Sequence, residues 1–305
     1  MKKMLFVYNP NSGKGAIREA LSDILGILTT NGYDVTVHPT SAPKDGQNYI
    51  ATHASEYDLT ASVGGDGMIH ELICGMIKSG EKKPCGYIPS GSINDFASSL
   101  KISKNMLEAA ETISGECFTD IDAGVFNNEH FAYVAAFGMF TNVSYETDQK
   151  IKNMLGAGAY VIEIMRCIDL KTFQKSTSHM KVNFNGETIE DDFIFGMAGN
   201  TYSVGGLSAL VPAEASMNDG LLDGMFIKTP KTVAELESIK MALINPRRNC
   251  KNIITAKSKS FEIISENGIS WTLDGEFGGN ITSAKIGIIP KAIKIAVPDN
   301  SDIQA

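Results

Sequence analysis

The sequence predicts an α/β fold in two parts. The first is an N-terminal doubly wound, mostly parallel sheet; the second is a C-terminal β-rich, sandwich-like domain. Three observations carry this reading. Strand-length apolar runs alternate with helical stripes through the first third of the chain, which is the signature of repeated βα units. Glycine-rich turns sit where those strands give way to helices. After residue 122 the helical alternation gives way to short strands joined by Asn-Asn and Asn-Gly turns.

Residues 3–8 read as the first strand, and Ile17, Ala20, Leu21, Ile24, Leu25 and Leu28 form the stripe of the helix after it. Asn31-Gly32 stops that helix, and residues 33–38 form the second strand. Residues 45–55 read as helix and 59–63 as a third, buried strand. After Gly67, Ile69, Leu72, Ile73, Met76 and Ile77 have helical spacing. Residues 85–88 form a fourth strand, followed by Ser90-Gly91-Ser92 and a short helix from Asn94. Strand and hairpin patterns follow at 125–126 with 131–134, and at 180–184 with 193–197. Helices are expected at 151–168 and 232–244, and short antiparallel strands at 253–256, 260–264, 270–273, 285–289 and 293–297. The expected domains are residues 1–122 and 123–305, with the C-terminal segment free to return to the first. No Pro/Gly/Ser linker separates them.

Composition narrows the function. The chain has 305 residues, 43% hydrophobic and 20% charged, an ordinary globular balance. A net charge of −8 argues against broad nucleic-acid binding. Cys74, Cys85, Cys117, Cys167 and Cys250 contain no C-x-x-C pair, so buried thiols in a reducing compartment are the plainer reading. Met1-Lys2-Lys3 is followed only by the apolar residues 4–8, too short for a secretory core. No run approaches the ~20 apolar residues of a membrane span. A soluble cytoplasmic protein is expected, with any membrane contact peripheral and transient.

The most telling stretch is Ser62-Val63-Gly64-Gly65-Asp66-Gly67-Met68, on a strand-to-helix turn. Such a turn aims backbone N–H groups and the positive end of a helix at one point, which suits a phosphate. The aspartate would repel that phosphate unless a cation lies between them, so the combination suggests a metal–nucleotide site. Asn9-Pro10-Asn11-Ser12-Gly13-Lys14-Gly15 is neither a P-loop nor G-x-G-x-x-G, yet it offers glycine, hydroxyl, amide and lysine at a helix start. A polar turn is its plainer reading.

Asn-Pro-x-Ser-Gly at 9–13, Gly-Gly-Asp-Gly at 64–67 and Gly-Ser-Ile-Asn-Asp-Phe-Ala at 91–97 occur in that order. Ser216-Met217-Asn218-Asp219-Gly220-Leu221-Leu222-Asp223 and Leu273-Asp274-Gly275-Glu276 follow. Together they resemble the diacylglycerol-kinase catalytic-domain family, in its bacterial soluble form, with sphingosine kinases as relatives and NAD kinases more distant. The resemblance spans nearly the whole chain. It implies ATP-dependent phosphorylation of a lipid hydroxyl, diacylglycerol or a related lipid alcohol. It places Asn9, Ser12, Gly13, Lys14, Gly64, Gly65, Asp66 and Gly67 at the nucleotide phosphates, and Thr40 near the adenosine. Ser92, Asn94 and Asp95 belong to the same nucleotide-binding set. Asp219, with the carbonyls of Ser216 and Leu221, matches a structural Mg²⁺ site, and such oxygens suit a hard cation. Glu276 matches the proton acceptor, with Asp274 a competing or cooperating candidate. If that segment is extended, residues two apart share a face, and both carboxylates point the same way.

Other readings stand beside these. Asp66, Asp95, Asp122 and Asp274 could hold ions or ion-bound waters, but Asp95 can equally be a helix cap, Asp122 a strand end, and Asp274-Gly275 an ordinary hairpin turn. Met68, His70 and Ser92 depart from the family's usual threonine, asparagine and threonine, while Glu71 keeps the family residue. His38, His53, His130 and His179 show no metal-binding spacing. Arg247, Arg248, Lys251, Lys257 and Lys259 make a locally basic segment, which reads as solvated charge before it reads as a lipid-facing patch. The expected partner is a lipid substrate, not nucleic acid, and a homodimer is left open. Two alternatives remain: a kinase of a soluble hydroxyl compound, as the NAD kinases are, or a nucleotide- or lipid-binding regulator without catalysis.

Overall fold

The structure, a computed structural model, describes residues 1–138, 170–204, 215–245 and 249–299. The helix expected at 151–168 lies outside the described residues. The chain divides into two compact units: Met1–Ala123 with the segment from Pro290, and Gly124–Ile289. The fold is mixed α/β and rich in strands.

The first unit begins with β1 (Lys2–Tyr8), α1 (Ala16–Thr30), β2 (Tyr33–Pro39), α2 (Asp45–His53) and β3 (Leu59–Gly64). It continues with α3 (Asp66–Ser79), β4 (Pro84–Pro89), α4 (Asp95–Ser99) and α5 (Met106–Ser114). β1 pairs in parallel with β2 and β3, and β3 pairs in parallel with β4. Met4, Leu5, Phe6 and Val7 of β1 are all fully buried, as a strand covered on both faces requires. Ile17, Ile24 and Leu28 of α1 and Ile69, Leu72 and Ile73 of α3 are also fully buried. Each such side chain contributes about 1.5–3 kcal/mol over leaving it exposed.

Register decides where this unit can bind anything. Tyr8 pairs with Pro39 and with Val63, and Gly64 pairs with Pro89. The loops beginning at Asn9, Thr40, Gly65 and Ser90 therefore leave one edge of the sheet, at the strands' carboxyl ends. That is where parallel α/β sheets bind ligands.

β5 (Phe118–Phe126) crosses from the first unit into the second, where β6 (Glu129–Phe131), β7 (Val134–Gly138), β8 (Ser178–Phe184) and β9 (Glu187–Gly199) follow. β10 (Leu222–Lys228), a helix over Val233–Ile244, β11 (Ile253–Ser258), β12 (Ser260–Leu273) and β13 (Glu276–Ala296) complete the chain. The pairings β8/β9, β9/β10, β10/β11, β7/β9 and β12/β13 are all antiparallel. Trp271 is 1% exposed at the centre of this unit's core, its ring centroid 4.9 Å from those of Phe126 and Phe137.

Two pairs of expected strands prove to be single strands. Residues 260–264 and 270–273 lie on β12, and 285–289 and 293–297 lie on or beside β13. Pro290 and Lys291, at φ 50°, interrupt the apolar pattern of β13 without ending the strand. The register of β12 against β13 shifts between Ile264 and Ile269, which explains the apparent gap there. Beyond Pro290, Lys294 and Ile295 of β13 pair in parallel with Pro84 and Cys85 of β4.

Candidate functional site

Three loops at the carboxyl edge of the first unit's sheet hold one another. Ser90 Oγ donates to Ser12 Oγ at 2.8 Å, and Ser90 N donates to Gly64 O at 2.8 Å. Asn9 N donates to Val63 O at 3.2 Å, and its side-chain oxygen accepts from Asn11 N at 2.9 Å. Gly13 has φ 58°, and a Cβ there would lie 2.6 Å from Ser90 O. A Cβ on Gly91 would lie 2.6 Å from Gly65 Cα, so the second and third loops touch backbone to backbone.

Asp66 opens α3, and no side-chain hydrogen bond caps that helix at Gly65. The N–H groups of a first helical turn lack intrahelical acceptors, and the dipole there favours an anion. Asp66 Oδ2 accepts from Asn94 N at 3.0 Å. Asn94, at φ 57°, clamps the third loop: Gly91 N donates to its Oδ1 at 3.0 Å, and its Nδ2 donates to Gly91 O at 2.7 Å. Tyr87 Oη donates to Gly64 O at 3.0 Å from full burial. Burial and the Asp66 charge hold its pKa well above the ordinary tyrosine range, so it stays a neutral donor. Asp95 is 3% exposed and Asp122 is fully buried, its Oδ1 accepting from Lys291 N at 2.7 Å. Ser92, in the third loop, and Gly67, in the first turn of α3, are exposed. Thr40 N donates to Tyr8 O, which seats Thr40 beside the first loop.

One departure noted in the sequence, Met68, has a local explanation. Met68 is buried, and a Cβ on Gly64 or Gly46 would fall 2.3 or 2.6 Å from its side-chain atoms. Methionine fills this gap because both facing residues are glycines. His70 lies one turn from Cys74, its Nε2 3.7 Å from the thiol sulfur. Sequence reasoning missed the braces around these residues. Glu71 of α3 accepts from Lys44 N at 3.0 Å and Gln47 N at 3.1 Å, capping α2 from a neighbouring helix. A helix lacking a capping residue of its own was the only available signal.

In the second unit, Asp274 and Gly275 form the two-residue turn between β12 and β13, at φ 51° and 92°, with Leu273 paired to Glu276. These angles and the Asp-Gly pair are those of a type I′ hairpin. The segment is therefore not extended, and the expectation that both carboxylates share a face is corrected. Asp274 is 4% exposed and turned inward, whereas Glu276 is exposed. The Asp274 carboxylate accepts three backbone N–H groups: Ala132 at 2.5 Å, Tyr133 at 2.9 Å and Val134 at 2.9 Å. Asn200 extends this structure, since its N donates to Tyr133 O at 2.8 Å and its Nδ2 to Met217 O at 3.2 Å. The hairpin is thus tied to the loop that carries Ser216, Asp219 and Leu221.

That loop precedes β10. Leu221 N donates to Asp219 Oδ1 at 3.0 Å, and Ser216 Oγ to Asn218 Oδ1 at 3.1 Å. Asp223 is 1% exposed beside them. Burial raises its carboxyl pKa, and the Asp219 charge adds to that rise, against the lowering effect of Lys257. Burial works against the Lys257 ammonium as well, but its bonds to Asp219 and Asp223 hold its pKa above the ordinary value. Among the described residues no group of three or more His, Cys, Asp or Glu could hold a metal. A cation here would take one or two carboxylates and complete its shell with carbonyls and water, a donor set that fits Mg²⁺.

The profile of the diacylglycerol kinase catalytic domain matches residues 3–126. A diacylglycerol kinase of Staphylococcus epidermidis is 32% identical over 284 residues, covering 92% of this chain and 87% of its own. The chain belongs to the diacylglycerol kinase family. It is a lipid kinase, a transferase, by that membership. A diacylglycerol kinase of Bacillus subtilis is 29% identical over 305 residues, 98% of this chain and 97% of the relative. The crystal structure of a diacylglycerol kinase from Bacillus anthracis superposes with a TM-score of 0.82 at 25% identity, covering 98% of each chain. No helix among the described residues of this kinase is long and apolar enough to cross a membrane.

Proposed function

We propose that this kinase transfers the γ-phosphoryl group of ATP, with Mg²⁺, to the hydroxyl of diacylglycerol or a related lipid alcohol. The observation that carries the reading is the clasp of three loops around Gly65, Asp66, Gly91 and Asn94. It puts glycine backbone and a helix N-terminus at one point, with a carboxylate fixed beside it. Under this proposal Asn9, Ser12, Gly13, Lys14, Gly64, Gly65, Gly67 and Ser92 face the nucleotide phosphates, and Thr40 lies near the adenosine. Asn94 holds the third loop shut, while Asp66 and Asp95 present oxygens to the metal or its waters. The first unit is then the nucleotide-binding domain and the second the lipid-substrate domain.

Phosphoryl transfer asks the protein mainly to position the reactants and neutralise charge. Bound Mg²⁺ would supply that neutralisation at the phosphates. Glu276, exposed at the start of β13, orients the lipid hydroxyl and accepts its proton. Asp274 holds the hairpin that carries Glu276, because its lone pairs are engaged by three N–H groups. Asp219, with the carbonyls of Ser216 and Leu221, holds a structural Mg²⁺ at the loop before β10. The lipid requires contact with a membrane surface, which is peripheral and transient for a chain of this kind.

The test incubates the protein with γ-labelled ATP, Mg²⁺ and a total lipid extract, and identifies the product by mass spectrometry. A phosphorylated lipid alcohol is expected, and its formation should be lost in a folded Asp66→Ala variant. Label appearing only in a water-soluble product would favour the soluble-substrate reading. Undiminished turnover by Asp66→Ala would remove the metal–phosphate role of that carboxylate.

A further inference from the structure

Lys257 of β11 stands opposite Asp223 of β10 in the ladder. Its ammonium lies 2.9 Å from Asp219 Oδ2 and 3.4 Å from Asp223 Oδ1. Asp223 is 1% exposed, and its charged form is favoured first by the Lys257 ammonium and then by the Ser216 backbone N–H. A buried carboxylate in that state needs a cation close by. The Lys257 side chain is itself 27% exposed, so the ammonium has room to shift away from Asp219 while staying near Asp223.

We propose that Lys257 is the built-in counter-ion of this loop, and that a divalent cation bound by Asp219 displaces its ammonium from Asp219 onto Asp223. The inference rests on the reading of Asp219 as a Mg²⁺ ligand and adds a residue that sets the affinity of that site. The charges state the consequence. Two carboxylates and one ammonium leave the loop at −1, and removing the ammonium makes it more negative. A divalent ion is attracted more strongly to the second arrangement, and at a few ångströms the difference is large even with the screening of a protein surface. Lys257 therefore keeps the loop folded without metal and weakens the metal it does bind. Arginine at the same place would keep the charge and the effect.

The experiment titrates nucleotide-free protein with Mg²⁺, reading thermal stability, and with Mn²⁺, reading the free ion by electron paramagnetic resonance. The proteins compared are wild type, Lys257→Met, Lys257→Arg and Asp219→Ala. Lys257→Met should be less stable than wild type in EDTA and should bind the divalent ion at least about tenfold more tightly. Lys257→Arg should resemble wild type, and Asp219→Ala should lose the response. Equal or weaker binding by Lys257→Met, with Asp219→Ala unresponsive, would overturn the counter-ion role and leave the metal site standing. No divalent response in any of these proteins would overturn both. If Lys257→Met does not fold, the wild type still decides. Its Lys257 resonance in lysine-selective NMR, assigned by comparison with Lys257→Arg, should move with Mg²⁺ occupancy. A resonance that stays fixed while Mg²⁺ raises the melting temperature would sink the proposal.

Discussion

At the scale of single residues, the two carboxylates of the 273–276 turn show how neighbours in sequence take different work. Asp274 is buried and bonded to three backbone N–H groups, while Glu276 is exposed one residue beyond the turn. Glu276→Gln keeps size and polarity and should leave the melting temperature near that of wild type. If Glu276 is the proton acceptor, kcat should fall by about 10²–10⁴ with nucleotide binding nearly unchanged. Asp274→Asn should act differently, because an amide NH₂ turned toward N–H donors leaves at least one of them unsatisfied. That costs about 1–3 kcal/mol of stability as well as activity. Turnover, nucleotide titration and thermal unfolding on both variants separate the roles. Wild-type kcat in Glu276→Gln together with lost kcat in stable Asp274→Asn would make Asp274 the base.

At the scale of elements, regular patterns were legible and long-range supports were not. The stripe of Ile17, Ile24 and Leu28 and the apolar run of β1 locate α1 and the first strand within a residue or two. Asn185-Gly186, both at positive φ, fixes the β8/β9 hairpin as the sequence indicates. The helix α5 carried a signal that went unread: Asn105 accepts from Leu107 N as an N-cap, and Gly115 follows the last turn. β12 and β13 were divided because a register shift and Pro290 resemble strand ends. The glycine loops were visible as motifs, but nothing local could show that Glu71 caps α2 or that Tyr87 braces Gly64. Those contacts join residues far apart in sequence, and side-chain periodicity carries no record of them. The α2 cap is testable. Glu71→Ala should lower stability by about 1–2 kcal/mol in urea unfolding, as loss of a helix cap does. Glu71→Gln, which keeps one acceptor oxygen, should lose less. A loss in Glu71→Ala within the ±0.5 kcal/mol or so of neutral surface changes would show that α2 does not depend on this cap.

At the scale of the whole molecule, the parallel sheet that positions the three clasped loops also sets an alkaline limit on stability. Cys85 lies in β4 with no exposed surface, and burial pushes its thiol pKa up to about 12 from an ordinary 9.0. Burial, helped by a hydrogen bond to Glu116, pushes Tyr33 up to about 12 from 10.0, and Tyr87 is raised well above the same starting value. In each case folding favours the protonated form. Above pH 9 the unfolded chain releases the Cys85 proton while the folded chain keeps it, so the unfolded state binds fewer protons and stability falls as pH rises. One such group gives a slope of about 1.4 kcal/mol per pH unit until its folded pKa is reached. Below pH 9 the thiol is neutral in both states and contributes no slope. The tyrosines add theirs only from about pH 10, their ordinary value. Urea midpoints measured under reductant between pH 8 and 10 should therefore decline from pH 9 in the wild type. In Cys85→Ala they should stay flat until the tyrosines begin to ionise in the unfolded chain, whatever the constant stability lost with the smaller side chain. Equal declines in the two proteins between pH 9 and 10 would show that the buried thiol of β4 is not what makes the sheet sensitive to alkali.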